Sequence, residues 1–221
     1  DSNFAIMKTI LIFLLMTIFS TLGYAQFNTV SPNSRVYKIS TEADTSNEIP
    51  TSVDNDSNNS REVCDVKEMK RQLLLRYISV SLPLKQLRIN SPFGKRKDPF
   101  TGKKAQHNGV DLFARNDEVY SIMLGDVIKS GVDRKSGIYV KMQYGEYTVS
   151  YCHLSKVAVK RGDVVYAGDV IGISGNTGTR STGEHVHISV KYKSHYIDPT
   201  ILFDFVRETQ QGCLQKLKEL R

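Results

Sequence analysis

The chain has 221 residues, 40% hydrophobic and 24% charged, with 30 Lys+Arg against 23 Asp+Glu for a formal net charge of +7. That length supports one domain with a real core, or two small ones. Six Pro and 15 Gly exclude a collagenous or wholly disordered chain, and 3 Cys exclude both a dense disulfide framework and a four-thiolate zinc site. The basic excess suits an acidic partner such as nucleic acid, an anionic surface or a cell-wall polymer.

Residues 1–25 read as an N-terminal extension and a secretory signal. Lys8 supplies the positive region, Ile10 to Met16 an unbroken apolar run, and Gly23 and Ala25 the small residues before a cleavage point at Gln26. The run falls short of the roughly 18 apolar residues a spanning helix needs. The expectation is an exported protein, periplasmic or extracellular, with no stable membrane insertion after cleavage; an uncleaved signal would leave it tethered to the membrane.

Residues 26–60 read as a disordered polar linker. From Ser40 to Ser60, 15 of 21 residues are Ser, Thr, Asn or Asp, too little apolar surface to offset chain entropy. The segment carries a net charge of −3, whereas the residues after Ser60 carry +10. The positive charge therefore belongs to the folded part.

Residues 61–90 form a short helical segment in this reading, because Val66, Met69, Leu73 and Leu74 recur at three- and four-residue spacing. Pro83 and Asn90-Ser91-Pro92 end it. From residue 91 to 204 the texture is of short alternating runs. Ile138, Val140 and Met142 alternate with Tyr139 and Lys141, and Tyr147, Val149, Tyr151 and His153 share the other alternation. Gly-Asp-Val triplets at Gly125, Gly162 and Gly168 each suggest a turn before an apolar run. The fold class expected is mainly β, an antiparallel sheet or sandwich with short flanking helices. Residues 205–221 read as a C-terminal helix weakened by Gly212.

The chain has 5 His, at positions 107, 153, 185, 187 and 195. A zinc hydrolase needs about three protein ligands, an open position and groups to move protons. In His107-Asn108-Gly109-Val110-Asp111 an imidazole and a carboxylate four residues apart share a face in a strand or a helix. In His185-Val186-His187 the imidazoles share a face only in a strand, since a helix points them about 200° apart; the alternating, β-branched run to Val190 favours the strand. Each motif alone arises by chance. Both together, with His153 on another strand, are hard to assign to chance in a chain this poor in histidine.

The stretch from about Asn90 to Phe203 resembles the lysostaphin-type (LytM-like) zinc endopeptidases of peptidoglycan. The resemblance runs through Ser91-Pro92-Phe93-Gly94-Lys95-Arg96, Asp98-Pro99-Phe100-Thr101-Gly102, His107-Asn108-Gly109-Val110-Asp111 and Tyr151-Cys152-His153-Leu154-Ser155. It continues through Val159-Lys160-Arg161-Gly162-Asp163-Val164, Gly172-Ile173-Ser174-Gly175-Asn176-Thr177-Gly178 and Ser181-Thr182-Gly183-Glu184-His185-Val186-His187 to Asp198-Pro199. It implies one zinc ion per chain held by His107, Asp111 and His187, with His153 and His185 as catalytic imidazoles that deprotonate a zinc-activated water, stabilise an oxyanion or protonate a leaving amine. It leaves open which imidazole does which. Peptide cross-links of peptidoglycan are the implied substrate, so the basic domain requires no nucleic-acid partner. A second reading is a catalytically silent wall-binding or hydrolase-activator module of the same fold; retention of all five expected groups counts against it. The departures from the family pattern, Ala114 to Asp117, Met123 and Glu184, bear on loop shape and the groove rim.

Other readings of the same residues are simpler. Cys152 is next to His153, but neighbours in a regular strand face opposite ways, so Cys152 reads as a buried small apolar residue rather than a nucleophile. Cys64 and Cys213 flank the domain and allow a disulfide in an exported chain. The glycines from 172 to 183 lack the Lys-Ser/Thr of a phosphate cradle and read as a turn. His195 reads as a surface residue.

Overall fold

The computed structural model describes the backbone of residues 56–221 and the side chains of residues 65–221. The signal at 7–25, the linker up to residue 55 and the side chain of Cys64 lie outside the described residues. Helix α1 (Asp56–Ile78) begins five residues before the expected start at Arg61, in a run of Asp, Ser and Asn that favours helix starts. It ends at Ile78, so the expected helical segment does not extend to residue 90: residues 79–88 carry turns and bends, and β1 begins at Ile89. Among the described residues no helix is long and apolar enough to cross a membrane.

Thirteen strands follow, all paired antiparallel: β1 (Ile89–Ser91), β2 (Gly94–Lys97), β3 (Lys104–His107), β4 (Val110–Phe113), β5 (Glu118–Tyr120), β6 (Gly125–Asp133), β7 (Gly137–Tyr144), β8 (Tyr147–Leu154), β9 (Lys156–Val157), β10 (Val164–Val165), β11 (Val170–Ile173), β12 (His185–Tyr192) and β13 (His195–Ile197). The main sheet runs in the order β1-β4-β12-β8-β7-β6-β10, with β13 on β12. A three-stranded sheet, β5-β11-β9, and the hairpin β2-β3 complete the β structure. The mainly β, antiparallel architecture read from the alternation is what the chain adopts.

Strand alternation divides the main sheet into an apolar and a polar face. Val110, Leu112, Val140, Met142, Val149, Tyr151, Val186, Ile188 and Val190 are fully buried on the apolar face. The segment 121–123 packs against this face, where Tyr144 Oη meets the hydroxyls of Ser121 (2.9 Å) and Tyr151 (3.0 Å). With every buried side-chain polar atom among the described residues hydrogen-bonded, these hydroxyls carry no unpaired-polar penalty. Burial of this order contributes roughly 2 kcal/mol per large apolar side chain.

Two of the three expected Gly-Asp turns form. Asp163 accepts from the backbone N–H of Lys160 and Asp169 from that of Tyr166. Gly125, by contrast, is the first residue of β6. Helix α2 (Thr200–Glu219) starts five residues earlier than expected because Asp198 accepts from the N–H and hydroxyl of Thr200 and Pro199 fixes the entry. Gly212 does not interrupt it. Ile201, Leu202, Phe203, Val206 and Cys213 are buried on its inner side, Cys213 as a free thiol.

Candidate metal centre

The polar face of the main sheet carries the histidines because register aligns them. On β12, His187 stands opposite Asp111 of β4 and Cys152 of β8, forming one cross-strand row. His107 arrives at the end of β3, and the hairpin β2-β3 pairs it with Gly94. Close approach explains Gly109 between them: a Cβ there would lie 2.6 Å from His187 Nε2, so any side chain would displace that imidazole.

The result is a cluster in which one atom each of His107, Asp111 and His187 lies within 4.8 Å of the others. His187 Nδ1 is 2.7 Å from Asp111 Oδ1 and 3.2 Å from His107 Nε2, and His107 Nε2 is 3.3 Å from Asp111 Oδ1. Two nitrogens and one carboxylate oxygen converging on one point form a donor set that suits zinc, with room left for a fourth ligand. Burial raises the Asp111 carboxyl pKa, but the His107 and His187 imidazoles beside it outweigh burial and hold the group well below the usual carboxylate range. Arg96 of β2 reaches the other carboxylate oxygen, Oδ2, at 3.4 Å.

Backbone carbonyls set the tautomers. His107 Nδ1–H donates to Pro92 O (2.8 Å), His153 Nδ1–H to Thr177 O (2.7 Å) and His185 Nδ1–H to Gly183 O (2.7 Å). A carbonyl only accepts, so each ring carries a proton on Nδ1, which in a neutral imidazole puts the lone pair on Nε2. His187 is the exception: its Nδ1 faces the cluster. His185 Nε2 is 3.7 Å from Asp111 Oδ1, and its ring lies 4.8 Å from that of His153, centroid to centroid. Burial lowers the pKa of His153 to about 4, against the opposing hydrogen bond to Thr177, so the ring is neutral near pH 7.

His153 corrects the sequence expectation. It does not share the face of Tyr147, Val149 and Tyr151. Tyr151 is fully buried in the core, while His153 lines the cleft beside Cys152. The cause is a β-bulge: the β7-β8 register shifts between Ile138 and Val140, and His153 adopts φ 63°. The opposite-faces argument against a Cys152–His153 pair therefore fails. The thiol is instead silenced by burial, which pushes its pKa up to about 12.

The loop after β11 had no role in the sequence reading beyond a turn, and it does more. Thr177 orients His153 through its carbonyl, while its hydroxyl accepts from Ile138 N–H and donates to Leu154 O. Arg180 of the same loop pairs with Asp98, which also accepts from the N–H groups of Phe100 and Thr101, and its guanidinium lies 4.6 Å above the Phe100 ring. Two departures from the family pattern compensate each other: Arg115 Nε donates to Glu184 at 2.7 Å across the rim. His195 lies exposed on β13, away from the cluster, as expected.

Residues 105–199 match the model of Peptidase family M23. An "Uncharacterized metalloprotease" of Buchnera aphidicola is 39% identical over 140 residues, 62% of this chain and 36% of that protein. The peptidoglycan DD-endopeptidase ShyA of Vibrio cholerae is 44% identical over 103 residues, 45% of this chain and 24% of that protein. The catalytic domain of lysostaphin from Staphylococcus simulans superposes with a TM-score of 0.48 at 29% identity, over 55% of this chain and 92% of that one. The chain thus spans about a quarter to a third of the length of these curated relatives. From residue 105 to 199 it carries a peptidase family M23 domain.

Proposed function

We propose that the protein is an exported zinc metalloendopeptidase that hydrolyses peptide cross-links of peptidoglycan. The observation that carries this reading is the convergence of His107 Nε2, Asp111 Oδ1 and His187 Nδ1 within 4.8 Å, beside two further imidazoles whose Nε2 atoms are free. His107, Asp111 and His187 would hold the ion. A zinc bound there supplies Lewis acidity toward water and the scissile carbonyl. Pro92 O and Arg96 orient two of the ligands, as partners behind metal ligands do.

The chain's own contribution is proton management. His185, with Nε2 near Asp111, is placed to take a proton from the attacking water. Neutral His153, across from it, is placed to accept a proton and pass it to the leaving amine. Asp111 remains ionised and supplies the negative charge of the donor set. The match to peptidase family M23 and the names of the peptidoglycan DD-endopeptidases among the relatives support the substrate class.

The test is digestion of defined cross-linked peptide fragments, read by mass spectrometry, alongside metal analysis. The expected result is about one zinc per chain, cleavage at one peptide bond, and loss of both in His187→Ala. Stoichiometric zinc with no cleavage of any cross-linked fragment would favour the silent wall-binding or activator module instead.

A further inference from the structure

The polar face of the main sheet continues past the metal row. Two residues along β12, Ser189 stands opposite Ser150 of β8, which stands opposite Lys141 of β7. This second row lies about 7 Å from the first, within reach of the next one or two residues of an extended peptide. Tyr139, two residues before Lys141 on β7, and Lys135 of the β6–β7 turn, whose carbonyl accepts from Arg180 N–H, line with this row the same cleft as His107, Asp111, His153 and His187.

The charge of this region is one-sided. The cleft is lined by Arg96, Lys135, Lys141 and Arg180, and Asp111 is its sole acidic side chain. Arg96 is committed to Asp111 and Arg180 to Asp98. Lys135 and Lys141 form no ion pair with a described residue. The carboxylate of Asp133 accepts from the backbone N–H groups of Lys135 and Ser136 and is attracted to Lys141 without a direct contact, while Lys141 Nζ lies 5.7 Å from the centre of the Tyr139 ring. The hydroxyls of Ser150 and Ser189 have no side-chain partner among the described residues. One cation and two hydroxyl donors in one row, with a second cation elsewhere in the same cleft, form a receptor for a carboxylate.

We propose that Lys141, with Lys135, Ser150 and Ser189, binds a carboxylate on a residue flanking the scissile bond, so that the preferred substrate is an acidic peptide cross-link rather than a neutral one. The inference rests on the peptidase reading and adds the substrate class to it. Nothing in it depends on the metal, because the row is built entirely by side chains of the sheet.

The zinc-loaded full chain is offered two cross-linked fragments of identical sequence, one with a free carboxylate at the flanking residue and one with the carboxamide. The carboxylate form should be cleaved with about tenfold higher kcat/KM, the worth of one charge-assisted hydrogen bond. That preference should fall to about twofold in Lys141→Gln, shrink in Lys135→Gln and largely return in Lys141→Arg. In parallel, fluorescence anisotropy of the metal-free protein should show tighter binding of a labelled carboxylate peptide than of its amide, weakened by Lys141→Gln. Equal cleavage and equal binding of the two forms by the unmodified protein would overturn the proposal while leaving the peptidase reading intact. So would a preference that both glutamine variants retain, or tighter competition by a polyanionic wall polymer than by the peptide carboxylate. If neither fragment is cleaved, the peptidase reading falls, and the anisotropy comparison alone decides whether the row binds carboxylates.

Discussion

His153 shows how much chemistry depends on one residue's backbone. A regular strand would bury it against the core with Tyr151; the positive φ at the bulge turns it into the cleft instead. Non-glycine residues hold such a conformation at a cost of order 1–3 kcal/mol when surrounding structure compensates. Here the backbone N–H of His153 donates to Ser136 O and the ring donates to Thr177 O. Because His153 is not among the three converging donors, His153→Ala should retain about one zinc per chain and lose roughly 10²- to 10⁴-fold in turnover. Metal analysis of the purified variant, together with its kcat, checks this. Loss of zinc would place His153 among the ligands.

At the scale of elements, the β6–β7 turn and the loop after β11 hold each other in place. Gly137 has φ 65°, and a Cβ there would overlap the backbone and hydroxyl of Thr177. Gly137→Ala should therefore cost about 1–3 kcal/mol in stability and, by moving Thr177, release the His153 ring. Thermal melts and turnover should fall together, whereas Gly183→Ala at a half-buried position, whose Cβ meets nothing within 4 Å, should leave the melt unchanged.

The same loop is tied to the turn at residues 98–102 through Asp98. The hydrogen bond from Arg180, then those from the backbone at Phe100 and Thr101, holds the Asp98 carboxyl pKa well below its usual range. A carboxyl depressed on folding stabilises the protein fully above its unfolded pKa, near about 4, and loses that contribution as pH falls toward its folded value. The difference in melting temperature between the wild type and Asp98→Asn should be constant above about pH 5 and close as the pH is lowered below about 4. A gap that widens in acid would contradict this.

The whole domain is a sheet with its apolar face closed and its polar face left open as a cleft. The inner side of α2 is buried as well, with Phe203 2% exposed. Phe203→Ala should destabilise the domain by about 3–5 kcal/mol, measured by urea unfolding, with no direct effect on zinc content in the folded fraction. Gln210 of α2 also donates to Val80 O at 3.0 Å, joining the C-terminal helix to the segment that precedes the strands. Charge is likewise a property of the whole: the residues after Ser60 carry +10, and Arg96, Lys135, Lys141 and Arg180 among them line the cleft.

The division between local and long-range information runs through particular residues. Alternation in Ile138 to Met142 and in His185 to Val190 revealed strands and their faces, because side-chain direction in a strand has a period of two. The spacing of His107 and Asp111, and of His185 and His187, revealed which donors could share a face. The start of α2 was legible too, in Asp198-Pro199, a local cap signal that the texture of residues 205–221 obscured. What local pattern could not contain was register. The row Asp111–His187–Cys152 joins residues up to 76 positions apart in the chain, and only strand pairing sets them side by side. The bulge that redirects His153, the Thr177 carbonyl that fixes its tautomer, and the Lys141–Ser150–Ser189 row all arise the same way. Sequence by itself determined the strands, the donor types and the net charge, which are local or additive. The tertiary structure alone decided which lone pairs converge, because convergence depends on long-range pairing that no local period encodes.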